Sequence, residues 1–101
     1  MFNGAGIDEL IVNNWNTSNV TGMDHTFSNA ASLSSLNVSN WDTSKVTNMS
    51  CLFCGISKLS TLDLSSWNVS NVINMESMFA STTNMRLLNL NNWNFNTDVR
   101  L

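Results

Sequence analysis

The amino-acid sequence predicts an α/β repeat: an open right-handed solenoid of about four coils, each made of one short parallel strand and one short helix. Three observations carry that prediction. Trp15, Trp41, Trp67 and Trp93 stand 26 residues apart. The apolar residues before each tryptophan recur at fixed offsets, and those after it recur at a second, wider spacing. A fixed period of roughly 20 to 50 residues marks chains built from one supersecondary unit that buries its apolar face only against its neighbours. The 101 residues are accordingly read as a single repeat domain.

The strand half comes first. Eight residues before the tryptophans stand Ile7, Leu33, Leu59 and Met85; five before, Leu10, Leu36, Leu62 and Leu88; three before, Val12, Val38, Leu64 and Leu90. Apolar and polar residues alternate from Leu36 to Val38 and from Leu62 to Leu64, which turns one face of a short strand inward. The strand and tryptophan segments fall near 7–15, 33–41, 59–67 and 85–93.

The second half changes period. Val46, Met49, Leu52 and Phe53, like Val72, Met75, Met78 and Phe79, follow an i, i+3, i+6, i+7 spacing that lines one side of a helix of about two turns. Helices are expected near 20–28, 46–54 and 72–80. Thr21 with Asp24, and Thr47 with Ser50, offer side-chain oxygens to the unpaired N–H groups of a first turn. Ile73 replaces the threonine in the third unit, so there the cap comes from Asn71, Asn74 or water. Segments 28–32 and 55–58 read as return loops, and the absence of proline argues against a stiff linker. In the fourth unit Val99 falls six residues after Trp93, and the helix is missing. The chain therefore reads as a slice, or a short version, of a longer array.

Composition narrows the function. Only 11% of residues are charged, the net charge is −3, and Lys45, Lys58, Arg86 and Arg100 are scattered. A phosphate backbone finds no basic stripe, which argues against nucleic acid as a partner. No run of about 18 apolar residues spans a membrane. No basic-then-apolar leader begins the chain, so a targeting signal is expected outside it.

The strand half resembles a leucine-rich repeat with tryptophan in place of the usual asparagine. The segments L-N-V-S-N-W-D-T-S-K-V-T-N-M-S-C-L-F (36–53) and L-D-L-S-S-W-N-V-S-N-V-I-N-M-E-S-M-F (62–79) resemble the repeats of bacterial BspA-like surface proteins. That resemblance implies a cell-surface or secreted bacterial protein whose repeats support adhesion, contacting a host or bacterial surface protein or a glycan. It implies no enzymatic activity and no cofactor. His25, Cys51 and the irregular last unit depart from the pattern.

Candidate chemistry begins with Cys51 and Cys54. A C-x-x-C pair is a redox motif or half a metal site, but a zinc site needs further ligands. His25 holds the same repeat position as Cys51, so a trio with Asp24 or water is geometrically conceivable. The plainer reading makes one cysteine a polar surface residue and the other a small loop residue, with a local or intermolecular disulfide as the remaining option. No metal ligand is assigned. The tryptophan column has two readings, sugar-stacking surface or core, and the inward register before each ring favours core. The Met23, Met49, Met75 column reads as core filler.

Outward strand positions are the candidate binding face: Ser35, Asn37, Ser39, Thr61, Asp63, Ser65, Asn89 and Asn91. Together they make a mostly uncharged field of short donors and acceptors, able to hold peptide or glycan by many weak bonds; simple solubility explains the same field. Catalysis finds no residues: the acidic side chains are mostly singletons, one histidine supports no triad, and there is no glycine-rich phosphate loop. Five N-x-[ST] sequons, at Asn16, Asn19, Asn37, Asn48 and Asn68, follow from the repeat composition. The reading is a non-catalytic surface binding or adhesion module, with a spacer or stalk lacking its own ligand as the alternative. Strand edges near 7–13 or 88–92 lack neighbours, so self-association through the uncapped ends is expected, with Phe2, Ile7, Leu88 and Leu90 near the contact.

Overall fold

Leucine and valine alternating with short polar residues yield four very short strands. The computed structural model describes residues 9–10 and 12–101; Phe2, Ile7 and Ile11 lie outside the described residues. The strands are β1 (Glu9–Leu10), β2 (Ser35–Leu36), β3 (Thr61–Asp63) and β4 (Leu87–Asn89). In β3 the alternation is plain, with Leu62 buried between exposed Thr61 and Asp63. β1 pairs with β2 in parallel, Glu9 opposite Ser35, and β3 pairs with β4 in parallel, Thr61 opposite Leu87. No ladder joins β2 to β3, so there are two separate two-stranded sheets. Isolated parallel bridges link Gly22 to Asn48, Asn48 to Asn74 and Asn74 to Arg100.

The expected leucine-rich-repeat-like α/β solenoid is corrected by these findings. Among the described residues there is no helix, the strands are two or three residues long, and the body measures 33 × 27 × 22 Å. The segments expected as helices near 20–28, 46–54 and 72–80 instead carry turns over 24–29, 50–55 and 76–81. The reason lies in the backbone. His25, Cys51 and Ser77 sit at φ 59, 53 and 57, and Asn29, Gly55 and Ser81 at φ 59, 79 and 60. Two left-handed residues four apart break a right-handed helix at both ends of the segment.

Hydrogen bonding shows what replaces the helix. The N–H groups of Met23, His25, Phe27 and Asn29 donate to the carbonyls of Asn48, Ser50, Leu52 and Cys54 at 2.7–3.0 Å. Met49, Cys51, Phe53 and Gly55 donate in the same way to Asn74, Glu76, Met78 and Ala80 at 2.8–2.9 Å. Between them, Thr26, Ser28 and Ala30 donate to carbonyls three residues back. Every second amide is therefore spent on the neighbouring segment, whereas an α-helix would use all of them internally. The inward set predicted by the spacing is still inward: Val46, Met49, Leu52 and Phe53 are each 0% exposed.

Ring columns fill the core. Trp15, Trp41 and Trp67 stack at 6.2 and 6.4 Å, and Phe27, Phe53 and Phe79 at 5.7 Å. Three of the indoles also have a hydrogen bond: Nε1 of Trp41, Trp67 and Trp93 donates to the carbonyls of Val12, Val38 and Leu64 at 2.8–2.9 Å. Burying a ring while satisfying its one donor avoids the desolvation penalty that an unpaired indole would carry. Trp41 and Trp67 are buried, whereas Trp15 is 41% exposed and Trp93 half-buried.

Candidate functional site

The strand face carries a groove of about 530 Å³ that runs across β2, β3 and β4. Asn37, Ser39, Thr61, Asp63 and Asn89 supply its polar lining, with Leu36, Val38, Leu62 and Leu87 between them. Five of the eight residues expected on the binding face thus meet in one concavity. Ser35 and Asn91 are exposed outside it. Ser65 lines a neighbouring groove of about 450 Å³ with Ser66, Asn68, Ser70, Asn92 and Asn94.

Local turns set the positions of these side chains. Asn37 Oδ1 accepts the N–H and hydroxyl of Ser39 at 3.1 and 2.7 Å, and Asp63 Oδ1 accepts those of Ser65 at 3.0 and 2.7 Å. Asn89 Oδ1 accepts the N–H of Asn91 at 3.0 Å. These are Asx turns, in which the side chain imitates a backbone carbonyl and bends the chain. They leave the Nδ2 of Asn37 and Asn89 and the second oxygen of Asp63 as the groups available to a ligand. The two bonds from Ser65, hydroxyl first and N–H second, hold the Asp63 carboxyl below its ordinary pKa. The groove thus keeps one negative charge at neutral pH.

The same turn recurs just after the tryptophans. Oδ1 of Asn16, Asp42 and Asn68 accepts the N–H and hydroxyl of Ser18, Ser44 and Ser70. Asn48 and Asn74 accept the N–H groups of Ser50 and Glu76. Four of the five sequon asparagines, Asn16, Asn37, Asn48 and Asn68, are therefore corner residues. Sequence reasoning read the Asn/Ser richness as repeat composition and a polar outer face. The signal it passed over was an [N/D]-x-S triplet that starts four residues before Trp41 and Trp67 and one residue after Trp15, Trp41 and Trp67.

The cysteines form a different arrangement from the conceivable metal trio. Cys54 Sγ lies 3.2 Å from the Ser28 hydroxyl, and both cysteines are free thiols. A hydrogen bond with Cys54 and then partial burial push the Cys51 thiol above its ordinary pKa, which disfavours a thiolate nucleophile. His25 Nδ1 is 3.9 Å from Asp24 Oδ2, with both side chains about half exposed. Among the described residues no three of His, Cys, Asp and Glu gather to hold a metal ion. No helix among them is long and apolar enough to cross a membrane.

A family model described as "Mycoplasma protein of unknown function, DUF285" matches residues 1–100, and the chain belongs to that family. No curated protein and no solved structure matches it.

Proposed function

We propose that this chain is a non-catalytic binding module of a cell-surface or secreted bacterial protein, and that it takes a polar, extended ligand across the strand groove. The observation that carries the reading is the meeting of Asn37, Ser39, Thr61, Asp63 and Asn89 around about 530 Å³ of open groove. Short amide, hydroxyl and carboxylate groups spaced along neighbouring strands suit a peptide backbone or a glycan, each of which offers donors and acceptors in series. The resemblance of 36–53 and 62–79 to BspA-like repeats supports an adhesive role and a host or bacterial surface partner. A single carboxylate with no basic neighbour in the lining disfavours phosphate-bearing ligands.

Binding of the whole chain to glycan and extracellular-matrix peptide arrays tests the reading. Thr61→Arg, which fills the groove from an exposed position, should lower affinity at least about tenfold, or ~1.4 kcal/mol, with the melting temperature unchanged. Array binding that ignores Thr61→Arg and Asn37→Ala would overturn it.

One observation favours a second reading, a spacer without a ligand of its own. The Oδ1 atoms of Asn37, Asp63 and Asn89 are already occupied by turn bonds. Under that reading the groove is the by-product of corner turns, and no array ligand is retained.

A further inference from the structure

We infer that Cys51 and Cys54 form a redox site: the folded chain places their sulfurs to close a disulfide across the turn 50–55, with a low-molecular-weight disulfide as the oxidant. The pairing rests on the turn and not on the groove.

The backbone sets the distance. Cys54 N–H donates to the Cys51 carbonyl at 3.4 Å. A bond from residue i+3 back to residue i closes a β-turn, which brings the two Cα atoms within about 7 Å. Disulfides span Cα separations of about 4.4–6.8 Å, so the turn supplies the spacing that the bond needs. Cys51 stands at φ 53, and Leu52 and Phe53 between the cysteines are fully buried. With both central side chains committed to the core, the two thiols are left at the rim, each partly exposed and hydrogen-bonded to the other.

Neighbouring segments hold the turn from both sides. Its carbonyls at Ser50, Leu52 and Cys54 accept from His25, Phe27 and Asn29, and its amides at Cys51, Phe53 and Gly55 donate to Glu76, Met78 and Ala80. That clamp keeps the two cysteines in place. The equivalent positions hold His25 with Ser28 and Ser77 with Ala80, so neither flanking turn carries a thiol that could compete.

Proton positions set the order of reaction. The hydrogen bond with Cys54 and then partial burial hold the proton on Cys51. The first attack therefore falls to Cys54, whose Sγ lies 3.2 Å from the buried hydroxyl of Ser28. The Cys54 thiolate displaces one thiolate from the S–S bond of the reagent and forms a mixed disulfide. Cys51 then gives up its proton as it attacks Cys54 Sγ, and the second reagent sulfur leaves as a thiol. Two electrons pass from the cysteines to the reagent, which ends as two thiols. Closing the ring removes conformations from the unfolded chain, so the oxidised form should be the more stable one. The cell-surface or secreted location proposed for the chain is one where such a bond persists.

Treating the reduced full chain with oxidised glutathione tests the site, with peptide mass as the readout. Cleavage after Lys45 and Lys58 leaves both cysteines in residues 46–58, so the internal disulfide appears as that peptide lighter by two hydrogens. The equilibrium against glutathione should favour it at least about tenfold more in the folded chain than in urea, and the oxidised chain should melt at least about 5 °C higher. Cys51→Ser should accumulate the mixed disulfide at Cys54, while Cys54→Ser should react at least about tenfold more slowly. Peptide 46–58 linked to a second copy of itself, thiols that stay reduced at equilibrium, or equal equilibria in buffer and urea would each overturn the pairing. An unchanged melting temperature overturns the stabilising role, and Cys54→Ser reacting as fast as Cys51→Ser overturns the order of attack.

Discussion

The segments around Trp67 and Trp93 share a sequence pattern and end in different physical states. Both tryptophans follow a leucine by three residues, and both indoles donate to the preceding layer. Trp67 is 2% exposed in a stack with Trp41, whereas Trp93 is half-buried and meets Phe95 edge-on at 5.9 Å. The same contrast holds in the turns. The amides of Cys51, Phe53 and Gly55 find carbonyls in the next segment, while among the described residues those of Ser77, Phe79 and Ser81 have no acceptor. A shared local pattern thus ends in different burial according to what covers it, so burial and amide pairing fall together from the middle of the chain to its last segment.

The largest expected effect tests that gradient directly. Trp67→Ala should cost roughly 3–5 kcal/mol in urea unfolding, since it empties a buried site between rings. Trp93→Ala, at a half-buried ring, should cost about half as much. Equal losses would break the comparison.

Gly55 offers the next effect. It holds φ 79, and a Cβ there would run into Asn29 Oδ1 with the Asn29 backbone close behind. Gly55→Ala should destabilise by about 1–2 kcal/mol or more. At the matching position in the last turn, Ser81→Gly relieves a left-handed serine at φ 60 and should be neutral or slightly stabilising. Calorimetric melts of both variants compare the two sites.

Smaller still is the shift in corner residue. Asn68 serves the corner after Trp67, but after Trp93 the bond moves to Asn96, whose Oδ1 accepts Asp98 N–H at 2.8 Å and whose Nδ2 donates to Ser70 O at 3.1 Å. Asn68→Ala and Asn96→Ala should each cost about 1 kcal/mol, and Asn94→Ala almost nothing. A loss at Asn94 equal to that at Asn96 would restore the regular pattern in the last unit.

The weakest effect is the acid response. Ser44 and Ser65 hold the carboxyls of Asp42 and Asp63 below their ordinary pKa, each by its hydroxyl and then its N–H. A depressed folded-state pKa contributes stability that is complete above the ordinary carboxylate value of 3.8 and lost as pH falls through the folded value. Asparagine makes the same turn without titrating, as Asn68 and Asn37 do. Asp42→Asn with Asp63→Asn should therefore flatten the melting temperature below pH about 4 and lower it slightly at neutral pH, where the turn remains but the charge-assisted part of its bonds is gone. An unaltered acid slope would assign the response to other carboxylates.

Much of the core was legible in the sequence, because the spacing of Leu62, Leu64, Trp67, Val72, Met75 and Met78 is set by which residues must face inward. The helices were not. The i, i+3, i+6, i+7 spacing is met equally by a turn with two left-handed residues, and His25, Cys51 and Ser77 give no sign of that conformation. Asn29 and Gly55 were the available hints, since asparagine and glycine are the residues that enter it most readily. Part of the candidate site was also legible. Asn37, Ser39, Thr61, Asp63 and Asn89 share a face by alternation alone, but the turn bonds of Asn37, Asp63 and Asn89 depend on residues two further on, and the concavity depends on how three strands sit together.

Native-state amide exchange, at a concentration where the chain is monomeric, tests most directly the claim that the turn segments are held by alternating bonds to the next layer. Cys51, Phe53 and Gly55 should exchange near the rate of global unfolding, while Ser77, Phe79 and Ser81 exchange orders of magnitude faster. Protection running through every amide of 50–55 and 76–81 alike would be the signature of two helices and would contradict the account.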